Sequence, residues 1–349
     1  MNRADYFLVG GMDAPFSLPI HKWALGLGCM LCIICLGLGL TALGWGTLTL
    51  PFSDVVNALF GAGPEQAQIV VTQWRLPRIT AALILGAALG VSGAIFQSLL
   101  RNPLGSPDVV GFNTGAYSGA LLVIAVFHGG YYATAAGALL GGLTTALLVY
   151  ALAWRKGRAQ GFRLIIVGIA VSALLNAFNT WMMISASLEA AMSAALWGAG
   201  SLNGLTWSKA SPSLIFCLLA IAAAVPLQRR LRLLAMGDDA AQALGVAVNR
   251  SRLTLMILAV SLTAAATAAT GPISFIALAA PQITRRLLAA DGVSLLNSAW
   301  MGALLLLAAD QIAHHLFAPS QLPVGVVTIC IGGVYLAWLL INDSQRKTS

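Results

Sequence analysis

Between Arg75 and Ala116 the chain reads RLPRITAALILGAALGVSGAIFQSLLRNPLGSPDVVGFNTGA, and this stretch constrains the fold more than any other. Arg75 and Arg78 bracket Leu76 and Pro77, and no further charge occurs until Arg101. Within that interval Gly86, Gly90 and Gly93 sit among Ala87, Ala88 and Ala94, a small-residue spacing that lets helix backbones approach closely in lipid. A single packed helix accounts for the glycines. It does not account for Asn102-Pro103-Leu104-Gly105 and Ser106-Pro107-Asp108, which break the helix just before a second apolar run. The pattern predicts a membrane helix followed by a proline-broken re-entrant turn, an element of a pore rather than of a soluble enzyme.

Composition agrees. Hydrophobic residues make up 59% of the chain and charged residues 9%, whereas a soluble domain carries about 25% charged residues. Apolar runs near the length of about 20 residues needed to cross the hydrocarbon core recur along the sequence. They fall at 23–43, 79–100, 109–128, 133–154, 164–184, 210–228, 253–270, 272–288, 295–317 and 322–341. The fold expected is an all-α polytopic membrane protein of about ten transmembrane helices. It divides into an N-terminal tail (1–22), a transmembrane domain (23–341) with a long polar loop at 229–252, and a C-terminal tail (342–349).

Orientation follows from the basic residues, because cytoplasmic loops hold an excess of Lys and Arg. If the ten runs alternate, Arg3, Lys22, Arg101, Arg155, Lys156, Arg158, Arg163, Arg229, Arg230, Arg232, Arg250, Arg252, Arg285, Arg286, Arg346 and Lys347 share one side. Only Arg75, Arg78 and Lys209 fall opposite. Both termini are therefore expected in the cytoplasm, and the net charge of +8 is largely a topology signal. It is not a nucleic-acid footprint, since no basic patch interleaved with aromatics occurs on a soluble domain. Residues 23–43 are too long for a signal h-region and no small-residue cleavage site clearly follows, so they read as the first span. Cys29, Cys32 and Cys35 lie within it without a fourth ligand or polar surroundings, and read as buried small hydrophobes. No cofactor or metal site is expected.

Three segments outside the spans stand out. Residues 44–77, with Trp45 and the weakly amphipathic SDVVNALF, and residues 185–209, with Trp197 and Trp207, read as interfacial helices. The loop after the sixth span carries Gly237-Asp238-Asp239-Ala240-Ala241-Gln242-Ala243-Leu244-Gly245. Asp238 and Asp239 suit a helix start and Gly245 a helix stop. So short a helix is marginal alone in water, which leaves two readings, a docking element for another chain or a connector on the membrane surface.

None of the lysines follows the pattern of a phosphate-binding loop, so energy must come from another chain or from an ion gradient. Asp310 lies inside the ninth span with His314 one turn on, and an intramembrane carboxylate is a functional candidate by default. A proton relay would need further ionisable groups deep in the spans. The sequence favours a structural carboxylate. Pathway candidates are the helix breakers Pro103, Gly105, Pro107, Gly271, Pro272 and Pro323, together with Asn179 and Met182 in the fifth span. Ordinary interhelical packing explains the last two equally well.

These residues together resemble a known family. RLPR, GAALGVSGAIFQ, RNPLGSPDVVGFNTGA, GDDAAQALGV, GPISFIALAAPQITRR and QLPVGVVT are similar, in this order, to motifs of permeases in the iron-siderophore and cobalamin branch of the ATP-binding-cassette (ABC) importers. The wording around FNTGAYSG and FNTWMMISASLEAAMSAALWGAGSLNGLTW is most similar to the enterobactin-type permeases of that branch. The resemblance implies a type II importer permease fold of ten helices and a transport rather than an enzymatic role. The cargo would be a ferric siderophore, of the catecholate kind. The implied partners are a second, homologous permease, two cytoplasmic ATPase subunits and a periplasmic binding protein. It further implies that Gly237, Asp238, Asp239, Ala241, Leu244 and Gly245 form an ATPase-coupling element. Arg75, and more weakly Arg78, would meet acidic residues of the binding protein. Where the cobalamin importer has a second arginine near the end of the ninth helix, this chain has His314, which puts that docking contact in doubt.

Overall fold

The computed structural model describes residues 6–9, 18–46, 48–155, 158–159, 161–288, 293–316 and 321–348; Arg3 and Lys156 of the orientation argument lie outside them. Apart from two short antiparallel ladders, β1 (Tyr6–Val9) with β2 (Leu18–His21) and β3 (Trp154–Arg155) with β4 (Arg158–Ala159), the described chain is helical. The helices are α1 (Lys22–Gly44), α2 (Phe52–Leu59), α3 (Glu65–Ile69), α4 (Leu76–Leu100), α5 (Phe112–Ala125), α6 (Tyr131–Ala153), α7 (Gly161–Ser185) and α8 (Leu188–Gly198). There follow α9 (Trp207–Ala224), α10 (Gln228–Met236), α11 (Asp238–Ala243), α12 (Val248–Thr270), α13 (Ile276–Leu288), α14 (Leu295–His315) and α15 (Val324–Thr348).

Among the described residues, 7 helical segments are long and apolar enough to cross a bilayer. They are α1, the continuous rod Glu65–Leu100 formed by α3, a π-helical turn and α4, then α6, α7, the rod Trp207–Met236, α12 and α14. This is fewer than the ten expected. The runs at 109–128 and 272–288 yield helices of only 14 and 13 residues, and the apolar part of α15 ends at Trp338. Thirteen residues rise about 20 Å, short of the roughly 30 Å hydrocarbon core. Hydropathy continues through both runs, but the backbone does not. Gly111 (φ 89°) delays α5, while Gly271 (φ 75°) and Phe275 (φ 70°) delay α13.

α4 is the spine of the bundle, packed against α9, α12, α13 and α14. Beyond Arg78 its sequence carries no charge and is rich in alanine and glycine, which permits this, and Pro77, which has no amide hydrogen to donate, sits where the π-helical turn passes into α4. A methyl group added at Gly90 would overlap the Ser298 carbonyl of α14, and one at Gly93 would overlap the Ala277 carbonyl of α13. Both helices therefore ride on bare backbone. The apolar surface left uncovered lies elsewhere, with Ile166, Ile169, Leu174, Trp181 and Ile184 exposed along α7. The two interfacial segments form short helices as expected: α2 buries Val55 and Ala58, and Ser187 caps α8, its hydroxyl accepting from the Ala190 amide.

Candidate functional sites

Where α4 begins, a cavity of about 820 Å³ opens between the segment after α1, the π turn, the 202–206 loop and the end of α14. Trp45, Trp74, Arg75, Arg78, Gln311, His314 and Gln321 are among its walls. Arg75 donates to the Leu43 carbonyl at 2.7 Å and the Leu48 carbonyl at 2.5 Å, so it braces the chain that leaves α1. Arg78, one turn on, grips Asp310 with Nε 2.9 Å from Oδ2 and Nη2 2.9 Å from Oδ1. The Asp310 residue is fully buried. Arg78 also places Nη1 3.2 Å from His314 Nδ1. A guanidinium can only donate, so Nδ1 accepts and the imidazole proton resides on Nε2. The three residues named as docking candidates thus line one cavity, and each is already engaged within the chain.

At the opposite end of α4 lies the loop singled out for coupling. Arg101 caps α4 in a left-handed conformation (φ 49°) and donates to the Leu234 carbonyl at 2.9 Å and to Asp238 Oδ1. Arg252, in the second turn of α12, reaches the same oxygen at 2.7 Å. Burial works against ionisation of Asp238, but the hydrogen bonds from Arg252 and Arg101 outweigh it and hold its carboxyl below the usual range. Ala241 is buried in the core of the chain. Asp239, Leu244 and Gly245 are exposed, Leu244 by 60%. Gly237 (φ 131°) and Gly245 (φ 80°) frame α11 in conformations that side chains resist.

The helix breakers converge partway along the bundle. Asn102 Oδ1 accepts from the Leu104 amide around Pro103, and Gly105 donates back to Asn102. Past Pro107, Asp108 Oδ2 accepts from the Phe275 amide at 3.2 Å and Oδ1 from Asn113 Nδ2 at 2.5 Å; Asn113 Oδ1 in turn accepts from Thr267. Asp108 therefore joins the break before α5 to the break before α13. Sequence reasoning passed over this carboxylate, because between Pro107 and Val109 it reads as one more turn residue. Gly271 is tucked against Trp197, and Pro323 precedes α15. Asn179 and Met182 are buried within the subunit. Asn176 and Thr180 are among the polar side chains that α7 turns outward.

A bundle of membrane-length helices with two breaks facing each other, a cavity at one end and an exposed helical tip at the other defines a transport subunit rather than an enzyme. The comparisons agree. The FecCD transport family matches residues 31–342. The ferric enterobactin transport system permease protein of Escherichia coli is 58% identical over 320 residues, covering 91% of this chain and 97% of that protein. The achromobactin transport system permease protein of Dickeya dadantii is 37% identical over 345 residues, covering 96% and 98%. A solved metal-chelate-type ABC transporter in an inward-facing conformation superposes with a TM-score of 0.81 at 28% identity, covering 91% of this chain and 99% of that one. The protein is a membrane-spanning permease of an ABC importer. It belongs to the FecCD transport family.

Proposed function

We propose that this chain is one of two homologous permease subunits in a bacterial inner membrane that pass a ferric catecholate siderophore from periplasm to cytoplasm. The observation that carries the substrate is the 58% identity, over nearly the whole length of both chains, to the ferric enterobactin permease. Ten crossings are counted by adding α5, α13 and α15 to the seven long segments, the two short ones completed by the backbone at 101–111 and 271–275. Non-helical backbone at membrane depth is tolerated where protein covers it. Both termini and α11 then face the cytoplasm, in keeping with the side that holds the basic residues. The cavity at Arg75 faces the periplasm.

In this orientation a periplasmic binding protein delivers its cargo at the cavity, and two ATPase subunits press on the exposed tip of α11 and its counterpart in the partner permease. Docking in the periplasm draws on Arg75, Arg78 and His314, which bring cationic and hydrogen-bonding groups to a mouth whose described walls hold no carboxylate, Asp310 lying buried behind them. An ion-coupled mechanism finds no support in Asp310, because Arg78 already neutralises it.

The test is uptake of labelled ferric chelates in a strain lacking this chain, with and without complementation. Catecholate uptake should be lost and restored, while hydroxamate, haem and cobalamin uptake stay intact. Loss of one of those instead would reassign the cargo.

A further inference from the structure

Two adjacent aspartates open α11, and the structure gives them different surroundings. Neighbouring residues on a helix cannot share a face. Asp238 turns into the chain, where one of its carboxylate oxygens takes hydrogen bonds from both Arg101 and Arg252. Asp239 turns out to solvent, as do Gln242 and Leu244. The cations that hold Asp238 are not loop residues. Arg101 caps the C-terminus of the spine helix, and its guanidinium also donates to the Leu234 carbonyl near the end of α10, an oxygen it shares with the Gly237 amide. Arg252 belongs to α12, which packs along α4. Ala241, buried on the inner side of α11, gives the short helix a second, apolar anchor.

We propose that Asp238 is a positioning residue: through Arg101 and Arg252 it fixes α11 to α4 and α12, so that force applied to the exposed face of α11 reaches the membrane helices, while Asp239 and Leu244 form the surface that the ATPase meets. The proposal rests on the reading of α11 as the ATPase contact. Its logic is mechanical. A helix of 6 residues tethered only by backbone, with a glycine at each end free to pivot, would move under load without moving anything else. Charge-assisted bonds to two membrane helices remove that slack. The helices so gripped are those that carry the paired breaks, since α4 abuts α13 at Gly93 and α12 carries Thr267, which holds Asn113 and through it Asp108.

The experiment measures ATP hydrolysed per ferric catecholate imported by the full complex in proteoliposomes, with loaded binding protein supplied. Asp238→Asn should co-purify with the ATPase, yet the ratio of ATP to cargo should rise about tenfold, the size of a typical coupling energy. Asp238→Glu, which keeps the charge, should recover most of the coupling. Arg101→Gln should reproduce the defect from the other side, and it serves if the first variant yields no folded permease in the membrane. A wild-type ratio in both Asp238→Asn and Arg101→Gln would overturn the proposal. So would loss of the ATPase from Asp238→Asn, because Asp238 would then be part of the contact itself. If the unaltered complex shows no ATP-dependent import at all, it is the function proposed above that fails, not the positioning role.

Discussion

Arg78 and Asp310, 232 positions apart in sequence, form a forked ion pair in which three hydrogen bonds link α4 to α14 beneath the cavity. The Asp310 side chain is 1% exposed and that of Arg78 15%. Removing one partner of such a pair strands the other and costs about 3–5 kcal/mol, whereas replacing both by apolar groups is often neutral. Arg78→Leu and Asp310→Leu should each lower the thermal stability of the purified permease. The double variant should be more stable than either single one. Additive losses would show that the two do not act as a unit.

Arg75 spends its donors on Leu43 and Leu48, so its loss should first loosen the segment after α1. Arg75→Ala should increase hydrogen exchange at residues 44–50. Arg75→Glu should also slow association of the loaded binding protein, with the difference shrinking as salt rises, since steering by charge is screened. An on-rate unchanged at low salt would confine Arg75 to its bracing role.

Asp108 accepts from the Phe275 amide, and Phe275 holds a left-handed backbone. Asp108→Ala should leave that amide and Asn113 unsatisfied, at about 1–3 kcal/mol for each buried group. Asp108→Asn retains an acceptor and should lie between the two in thermal stability and in import. Equal behaviour of Asp108→Ala and the unaltered protein would remove it from the junction.

Gly93 meets the Ala277 carbonyl with no room for a side chain. Gly93→Val should prise α13 from α4, a clash with backbone that rearrangement of a flexible side chain cannot relieve. Little folded protein should be recovered from membranes. The exposed position Gly37 on α1, where nothing lies within 4 Å, should accept alanine without loss.

Much of this was legible in the sequence, for definable reasons. The apolar runs, the small-residue face of α4 and the breaker clusters are local signals; seven of the runs became membrane-length helical segments, and the small residues and breakers have structural counterparts at their expected places. What stayed hidden depends on distance or direction. Hydropathy at 109–128 and 272–288 carries straight through the points where the helices begin late, so α5 and α13 read as full length. Arg78 and Asp310 each looked like a lone charge because the pairing spans most of the chain. Asp238 and Asp239 are the same residue type side by side, and only the location of Arg101 and Arg252 separates their surroundings. Asn179 read equally well as pathway lining or as interhelical packing, and its burial depends on how α7 is turned, which the sequence does not carry.

The central claim is that this permease moves its cargo on energy supplied by a separate ATPase. Purified with its partner permease and ATPase in proteoliposomes, with loaded binding protein on the periplasmic face, it should import ferric catecholate only when ATP is present on the cytoplasmic face, and should ignore an imposed proton gradient. Import driven by the gradient in the absence of ATP would contradict the account.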